Sequence, residues 1–280
     1  MTRPCYSPAS LGEALRWRRA MPEATVLAGG TDLMVAVNAG QLKPQVVLNL
    51  LNVSELRGIR LGEGKVTLGA LTTFTDLMRS PTIATACPAL VEASRSIGAI
   101  QIQNRGTIGG NIVNASPAGD SLPVLAILDA EVLVASESGQ RAVPFAEFYS
   151  GYRKTVLAPD ELVIAVRFSP VEPGERTLYR KVGTRQAQAI SKVVIAARIK
   201  TDAEGRVERV AGAVGSVAPT VVRLHRAEQL LQGQRLEAAL IERSVSLVQS
   251  DIAPIDDIRS TAAYRRRVAA NLWRRFLVRA

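Results

Sequence analysis

The chain has 280 residues, 47% of them hydrophobic and 21% charged. That is enough apolar material for a sizeable core and excludes a disordered chain. Two cysteines, Cys5 and Cys87, exclude a disulfide scaffold and any iron–sulfur cluster held by four thiolates of this chain, and one histidine, His225, argues against a His-rich zinc site. No apolar run is long enough to span a bilayer, since residues 122–128 are followed closely by Asp129 and Glu131. The opening residues lack an apolar signal-type stretch, so the cytoplasm is the expected location.

The net charge of +10 is uneven. Residues 1–174 hold 15 basic and 15 acidic side chains, whereas residues 175–280 hold 20 and 10. A basic module fits nucleic acid, an acidic partner or an anionic cofactor, and an arginine-rich composition with a solvated surface fits equally.

In chain order, residues 7–19 predict a helix capped by Ser7, with Leu11, Ala14 and Leu15 at helical spacing. Residues 24–28 predict a strand running into Gly29 and Gly30. Residues 31–39 predict a helix capped by Thr31 or Asp32 and closed by Gly40. Strands are expected at 45–50 and 65–69, with a break at 57–64, where Gly58, Gly62 and Gly64 cluster. Helices are expected from 73 and over 88–96. Residues 122–128 read as an apolar helix or a buried strand, and 131–135 and 162–168 as strands. Pro170, Pro173 and Gly174 mark a boundary near 170–176 that coincides with the charge shift. Beyond it, 177–182, 189–200 and 206–215 predict strands, and 226–231 and 236–247 helices. A last helix over 261–278 carries Tyr264, Val268, Leu272 and Phe276 on one face and Arg265, Arg266, Arg267, Arg274 and Arg275 around the other.

Two glycine pairs stand out. Leu27-Ala28-Gly29-Gly30-Thr31-Asp32-Leu33-Met34 turns from a strand into a helix, and Thr107-Ile108-Gly109-Gly110-Asn111 reads as a second turn out of extended chain. Glycine admits positive φ and close approach to an anion, and successive N–H groups at a helix start form an anion-binding concavity. Two such loops can clasp a diphosphate from both sides. A Gly-Gly pair alone is more often only a turn, and neither loop matches the Rossmann or P-loop pattern. Asp120 suits a ribose hydroxyl and serves equally as a cap for the segment after it. His225 reads as a surface residue and Cys87 as a small buried one.

Taken together, these stretches are recognisable. The segments at 28–33 (AGGTDL), 98–105 (GAIQIQNR), 106–111 (GTIGGN), 115–120 (ASPAGD) and 148–155 (FYSGYRKT) stand in an order that resembles the flavin-binding medium subunit of molybdenum hydroxylases. This is the xanthine, carbon monoxide and aldehyde dehydrogenase group. Residues 179–181 (YRK) and 211–219 (AGAVGSVAP) are similar to its C-terminal domain, so the likeness covers essentially the whole chain. The resemblance implies an α+β fold. A two-lobed FAD-binding region of PCMH type (1–172, lobe one about 1–57, lobe two about 58–172) is followed by a C-terminal α+β domain (176–280) with a small antiparallel sheet.

It also implies noncovalent FAD between the lobes, with Leu27 to Met34 and Thr107 to Asn111 at the diphosphate. Asp120 matches an acidic FAD contact, Lys181 a lysine beside the flavin and Val163 an apolar flavin neighbour. The implied partners are a large subunit with the molybdenum cofactor and a small subunit with two [2Fe–2S] clusters, assembled as two heterotrimers. In this scheme the chain is an oxidoreductase subunit that passes electrons from those clusters through FAD to an acceptor such as NAD. No nucleic acid, membrane or metal ligand is expected in this chain. The rival readings are a basic nucleic-acid-binding protein and a scaffold without flavin.

Overall fold

The computed structural model describes residues 4–280. The first unit alternates short strands and helices: β1 (Cys5–Tyr6), α1 (Leu11–Ala20), β2 (Thr25–Leu27), α2 (Leu33–Asn38) and β3 (Val47–Asn49). The strands form a parallel sheet in the order β1-β3-β2. α1 starts later than expected. Ser10, not Ser7, is its cap: Ser10 Oγ accepts from Glu13 N at 3.2 Å, and the Glu13 carboxylate accepts from Ala9 N at 2.9 Å. The Ser10 cap, with Glu13 holding the N–H of the residue before it, fixes the helix start three residues beyond Ser7.

The second unit holds β4 (Ile59–Gly62), β5 (Lys65–Gly69), α3 (Phe74–Arg79), α4 (Pro81–Ala86), α5 (Pro88–Ser96), α6 (Ile100–Gln103), α7 (Ile108–Asn114) and α8 (Leu122–Ile127). It closes with β6 (Glu131–Ser136), β7 (Gly139–Pro144), the small hairpin β8 (Tyr149–Gly151) and β9 (Lys154–Thr155), and β10 (Leu162–Phe168). Its main sheet is antiparallel in the order β4-β5-β10-β6-β7. The glycine cluster at 57–64 is therefore half strand. Glu63 and Gly64 take φ of 52° and 72°, the two positive values of a tight hairpin turn between β4 and β5. β10 is central and packed from both sides, which explains its near-continuous apolar run. Residues 122–127 are a helix, every residue of it buried, with Pro123 in the first turn where its missing N–H is harmless.

The last unit comprises β11 (Arg176–Val182), β12 (Val193–Thr201), β13 (Val207–Gly215), β14 (Val222–Arg223), α9 (His225–Leu231), α10 (Ala238–Asp251) and α11 (Ala262–Val278). The four strands form an antiparallel sheet in sequence order. α5 and α8 pack on one face and α9 and α11 on the other, so β12 is buried over Val193 to Ile199. Asp129, just past α8, ties the units together: it pairs with Arg198 at 3.1 Å and with Arg223 at 2.6 Å.

The helix α11 corrects the expected faces. Its inward side is Arg265, Ala269, Trp273 and Phe276, while Tyr264 is exposed. Arg265 is only 5% exposed, donating to Ser216 O at 2.7 Å and to Asp257 at 2.6 Å. Arg274 pairs with Glu242, so two of the five arginines are engaged inside the chain. Trp273 is fully buried, donates to Ser244 Oγ at 2.8 Å and lies over Gly212, where a Cβ would sit 2.5 Å from the ring. Trp273→Ala is expected to destabilise the chain by about 3–5 kcal/mol in urea unfolding, because cavity and transfer penalties add at a buried indole. Among the described residues, no helix is long and apolar enough to cross a membrane.

Candidate functional site

Three stretches distant in sequence meet at the edge between the first two units. β2 runs out into Gly29, whose α-carbon faces the backbone of Arg105 and Gly106. A Cβ on Gly29 would land on the Arg105 carbonyl oxygen. Residues 70–74 lie beside 106–109: Phe74 N donates to Gly106 O at 3.3 Å, Ile108 N to Thr72 O at 3.0 Å and Gly109 N to Ala70 O at 2.9 Å. Gly30 then takes φ of +75°, a left-handed turn that aims the chain into α2. The two glycine loops are thus neighbours through direct backbone contact.

Their amides are used differently. The N–H groups of Gly29, Gly30, Thr31, Asp32 and Leu33 make no hydrogen bond to any described residue. Five successive unpaired donors at a partly exposed turn before a helix are a strong attractor for an anion. The second loop differs from the expected turn: Gly109 and Gly110 are helical, in the first turn of α7. Thr107 caps this helix, its Oγ1 accepting from Gly110 N at 3.1 Å. Ile108 is fully buried, Gly109 is buried, and their N–H groups are taken by Thr72 and Ala70. What faces outward is Gly110 and part of Asn111, without a side chain at Gly110 to obstruct approach. Thr107→Ala is expected to lose about 1 kcal/mol of stability, read as a lower urea midpoint, from removal of the cap.

Asn111 Oδ1 accepts from Ser121 Oγ at 2.7 Å, which joins α7 to the residue after Asp120. Asp120 is no helix cap. Its Oδ2 accepts from Lys181 Nζ of β11 at 2.6 Å, the two side chains only 10% and 8% exposed. Burial pushes the Asp120 carboxyl up to about 6, against the pull of the Lys181 ammonium. Its other oxygen, Oδ1, is buried and has no partner among the described residues. Lys181 Nζ also donates to Ser96 O at the end of α5, at 2.9 Å. Ser96 Oγ lies 2.8 Å from Tyr179 OH, and burial together with the nearby Asp120 charge pushes the Tyr179 phenol well up.

Val163 is placed apart from the loops' exposed edge. It is buried in the core below α7, paired across the sheet with Val134. Met34 is half-exposed on α2, a helix with no buried residue. Cys87 is fully buried, its thiol pushed up to about 12 by desolvation, and His225 is largely exposed. Reading by motif missed Ser96, Ala70 and Thr72. Tyr179, two residues before Lys181 on one strand face, was the available signal for the first of these.

Residues 1–170 match the family described as the FAD binding domain in molybdopterin dehydrogenase, and residues 178–280 match the CO dehydrogenase flavoprotein C-terminal domain. The chain belongs to the molybdopterin dehydrogenase FAD-binding family. It is 34% identical over 263 residues to a xanthine dehydrogenase FAD-binding subunit of Escherichia coli, covering 93% of this chain and 89% of that one. It is 33% identical to the glyceraldehyde dehydrogenase medium chain of Sulfolobus acidocaldarius, over 92% and 91% of the two chains. Among solved structures, a chain of the carbon monoxide dehydrogenase of Hydrogenophaga pseudoflava superposes with a TM-score of 0.94 at 28% identity, over 98% of this chain and 96% of that chain. The mixed α+β fold, the small antiparallel C-terminal sheet and the family's oxidoreductase role agree with the reading of the sequence. This FAD-binding family member places the meeting of its glycine loops within the region matched by the FAD domain.

Proposed function

We propose that this chain is the electron-transfer flavoprotein subunit of a molybdenum hydroxylase. It takes electrons from [2Fe–2S] clusters on a small partner subunit and delivers them to an acceptor such as NAD, while a large molybdopterin-binding subunit carries out the hydroxylation. The reading includes a cytoplasmic assembly of two heterotrimers, and a chain divided into an FAD-binding region over 1–172 and a C-terminal domain over 176–280. The relatives' descriptions as medium chains of carbon monoxide dehydrogenase support the division of labour.

One observation carries the assignment of the site: five unpaired amides at 29–33 stand against the second glycine loop. They suit a diphosphate, with Leu27, Ala28, Thr31, Asp32 and Met34 forming the surrounding turn. Gly110 and Asn111 offer the opposing approach, and Thr107, Ile108 and Gly109 hold that approach in place. Asp120 Oδ1, buried and without a partner among the described residues, suits a hydroxyl donor of the bound nucleotide. Lys181 supplies a fixed positive charge beside the ring, and Val163, buried in the core beneath α7, backs the apolar wall behind the loops. FAD, when bound, accepts electrons singly and releases them as a pair. The chain's own work is to orient the dinucleotide, exclude water from the Asp120–Lys181 pair and leave one ring face open.

Noncovalent binding follows from the residues near the loops. The glycine loops contain no His or Cys, and Cys87 is sealed in the core. The test is co-expression with the large and small subunits of such a complex. The expected product is a complex with one FAD per copy of this chain, released intact by acid, that reduces NAD when its hydroxylation substrate is added. A complex that reduces only oxygen or a quinone would replace the acceptor, and one without flavin would remove the function.

A further inference from the structure

We infer that Tyr179 and Ser96 are positioning residues that fix the ammonium of Lys181, and through it the charge presented to the flavin. The inference rests on the reading that Lys181 stands beside the ring. The proton arrangement is determined by the bonds present. Ser96 has one hydroxyl proton and gives it to Ala93 O at 2.8 Å. Its oxygen therefore accepts from Tyr179 OH at 2.8 Å, and Tyr179 is the donor. The Ser96 carbonyl, one of the terminal acceptors of α5, receives Lys181 Nζ at 2.9 Å. Tyr179 and Lys181 thus grip the same residue from one face of β11, one by its side chain and one by its main chain.

The negative end of α5 and the Asp120 carboxylate both favour the ammonium there. Two of the three Lys181 protons are used, by Ser96 O and Asp120 Oδ2, and the third has no acceptor among the described residues. The direction of that third N–H is set by the other two, so its aim depends on where the Ser96 carbonyl points. The end of α5 is already tied down by Gln103 Nε2, which donates to Arg95 O at 3.2 Å and Ile97 O at 3.1 Å. The Tyr179 hydroxyl is therefore not needed to keep the helix closed, and its contribution falls on the orientation of Ser96.

The test uses the full chain loaded with FAD at pH 7.5, where Asp120 is ionised and loss of Lys181 is a net loss of positive charge. Tyr179→Phe, Ser96→Ala and Lys181→Gln are compared for bound FAD per chain, unfolding midpoint and flavin reduction potential. Removing a positive charge near the ring disfavours the anionic reduced form, so Lys181→Gln is expected to lower the potential. Tyr179→Phe and Ser96→Ala are expected to keep their FAD and shift the potential in the same direction by a smaller amount. A shift in Lys181→Gln with none in the other two, or a fall in unfolding midpoint or flavin content alone, would make Tyr179 and Ser96 structural and overturn the inference. An unchanged potential in Lys181→Gln would instead remove Lys181 from the flavin's side, and the inference with it.

Discussion

Gly29→Ala is expected to yield a chain that no longer retains FAD. The added Cβ would coincide with the Arg105 carbonyl oxygen, a backbone atom that cannot swing aside. Relief requires the turn at 29–33 to move away from 105–110, which separates the two halves of the proposed cradle. Overpacking of this kind costs about 1–3 kcal/mol, so the chain stays folded while the site opens. Gly110→Val isolates the other half. There a Cβ meets only the capping hydroxyl of Thr107, at 2.9 Å, and the residue is exposed. Its effect is therefore directed at whatever approaches the loop. Gly30→Val adds left-handed strain, about 1–2 kcal/mol for an L side chain. Flavin absorbance per chain after gel filtration, read beside the unfolding midpoint, checks all three. Near-normal flavin in Gly30→Val and Gly110→Val would refute the placement of the diphosphate.

Lys181→Met is expected to destabilise the chain by about 3–5 kcal/mol at pH 7.5, the penalty for leaving a buried carboxylate without its counter-ion. The loss should shrink on acidification. Asp120 already has its folded-state carboxyl raised to about 6, above the value of 3.8 for a free side chain. A raised acid binds its proton more tightly in the folded chain than in the unfolded one, so its contribution to stability declines as pH rises from about 4 through 6. Without Lys181 that carboxyl rises further, and at pH 5 it is neutral and tolerated. Urea unfolding of wild type and variant at pH 5 and pH 7.5 should show the gap closing at the lower pH. An equal gap at both values would mean that Asp120 is not a buried ionised group.

Much of the architecture was legible because periodicity and punctuation agree. α5, β10 and α11 fall where Pro88, the 162–168 apolar run and Thr261 put them, within a residue. The errors share a cause: local signals shared between two structures. Ser7 and Ser10 are both caps by type, and only the Glu13 bond chooses between them. Gly58, Gly62 and Gly64 read as a break because a hairpin turn needs the same residues as a linker. Gly109 and Gly110 read as a turn, yet they open a helix, because glycine at 109 is demanded by the Ala70 backbone pressed against it. On α11, Arg265 was assigned to water by its charge, while Asp257 and the Ser216 carbonyl hold it inside. Partners remote in sequence are what local patterns cannot show.

The site followed the same rule. The first glycine loop carries a readable motif, and its amides at 29–33 have no partner among the described residues. The Asp120–Lys181 pair spans 61 positions and emerged as two separate residues matched to a family pattern. Ser96 carries no motif at all. It enters only because α5 ends where β11 passes.

The most direct measurement is titration of the flavin-free chain with FAD, followed by absorbance and heat. The expected result is one FAD bound per chain, a yellow protein, and intact FAD recovered on acid precipitation, with binding lost in Gly29→Ala. A chain that stays colourless at saturating FAD, alone and with its partner subunits present, would contradict it.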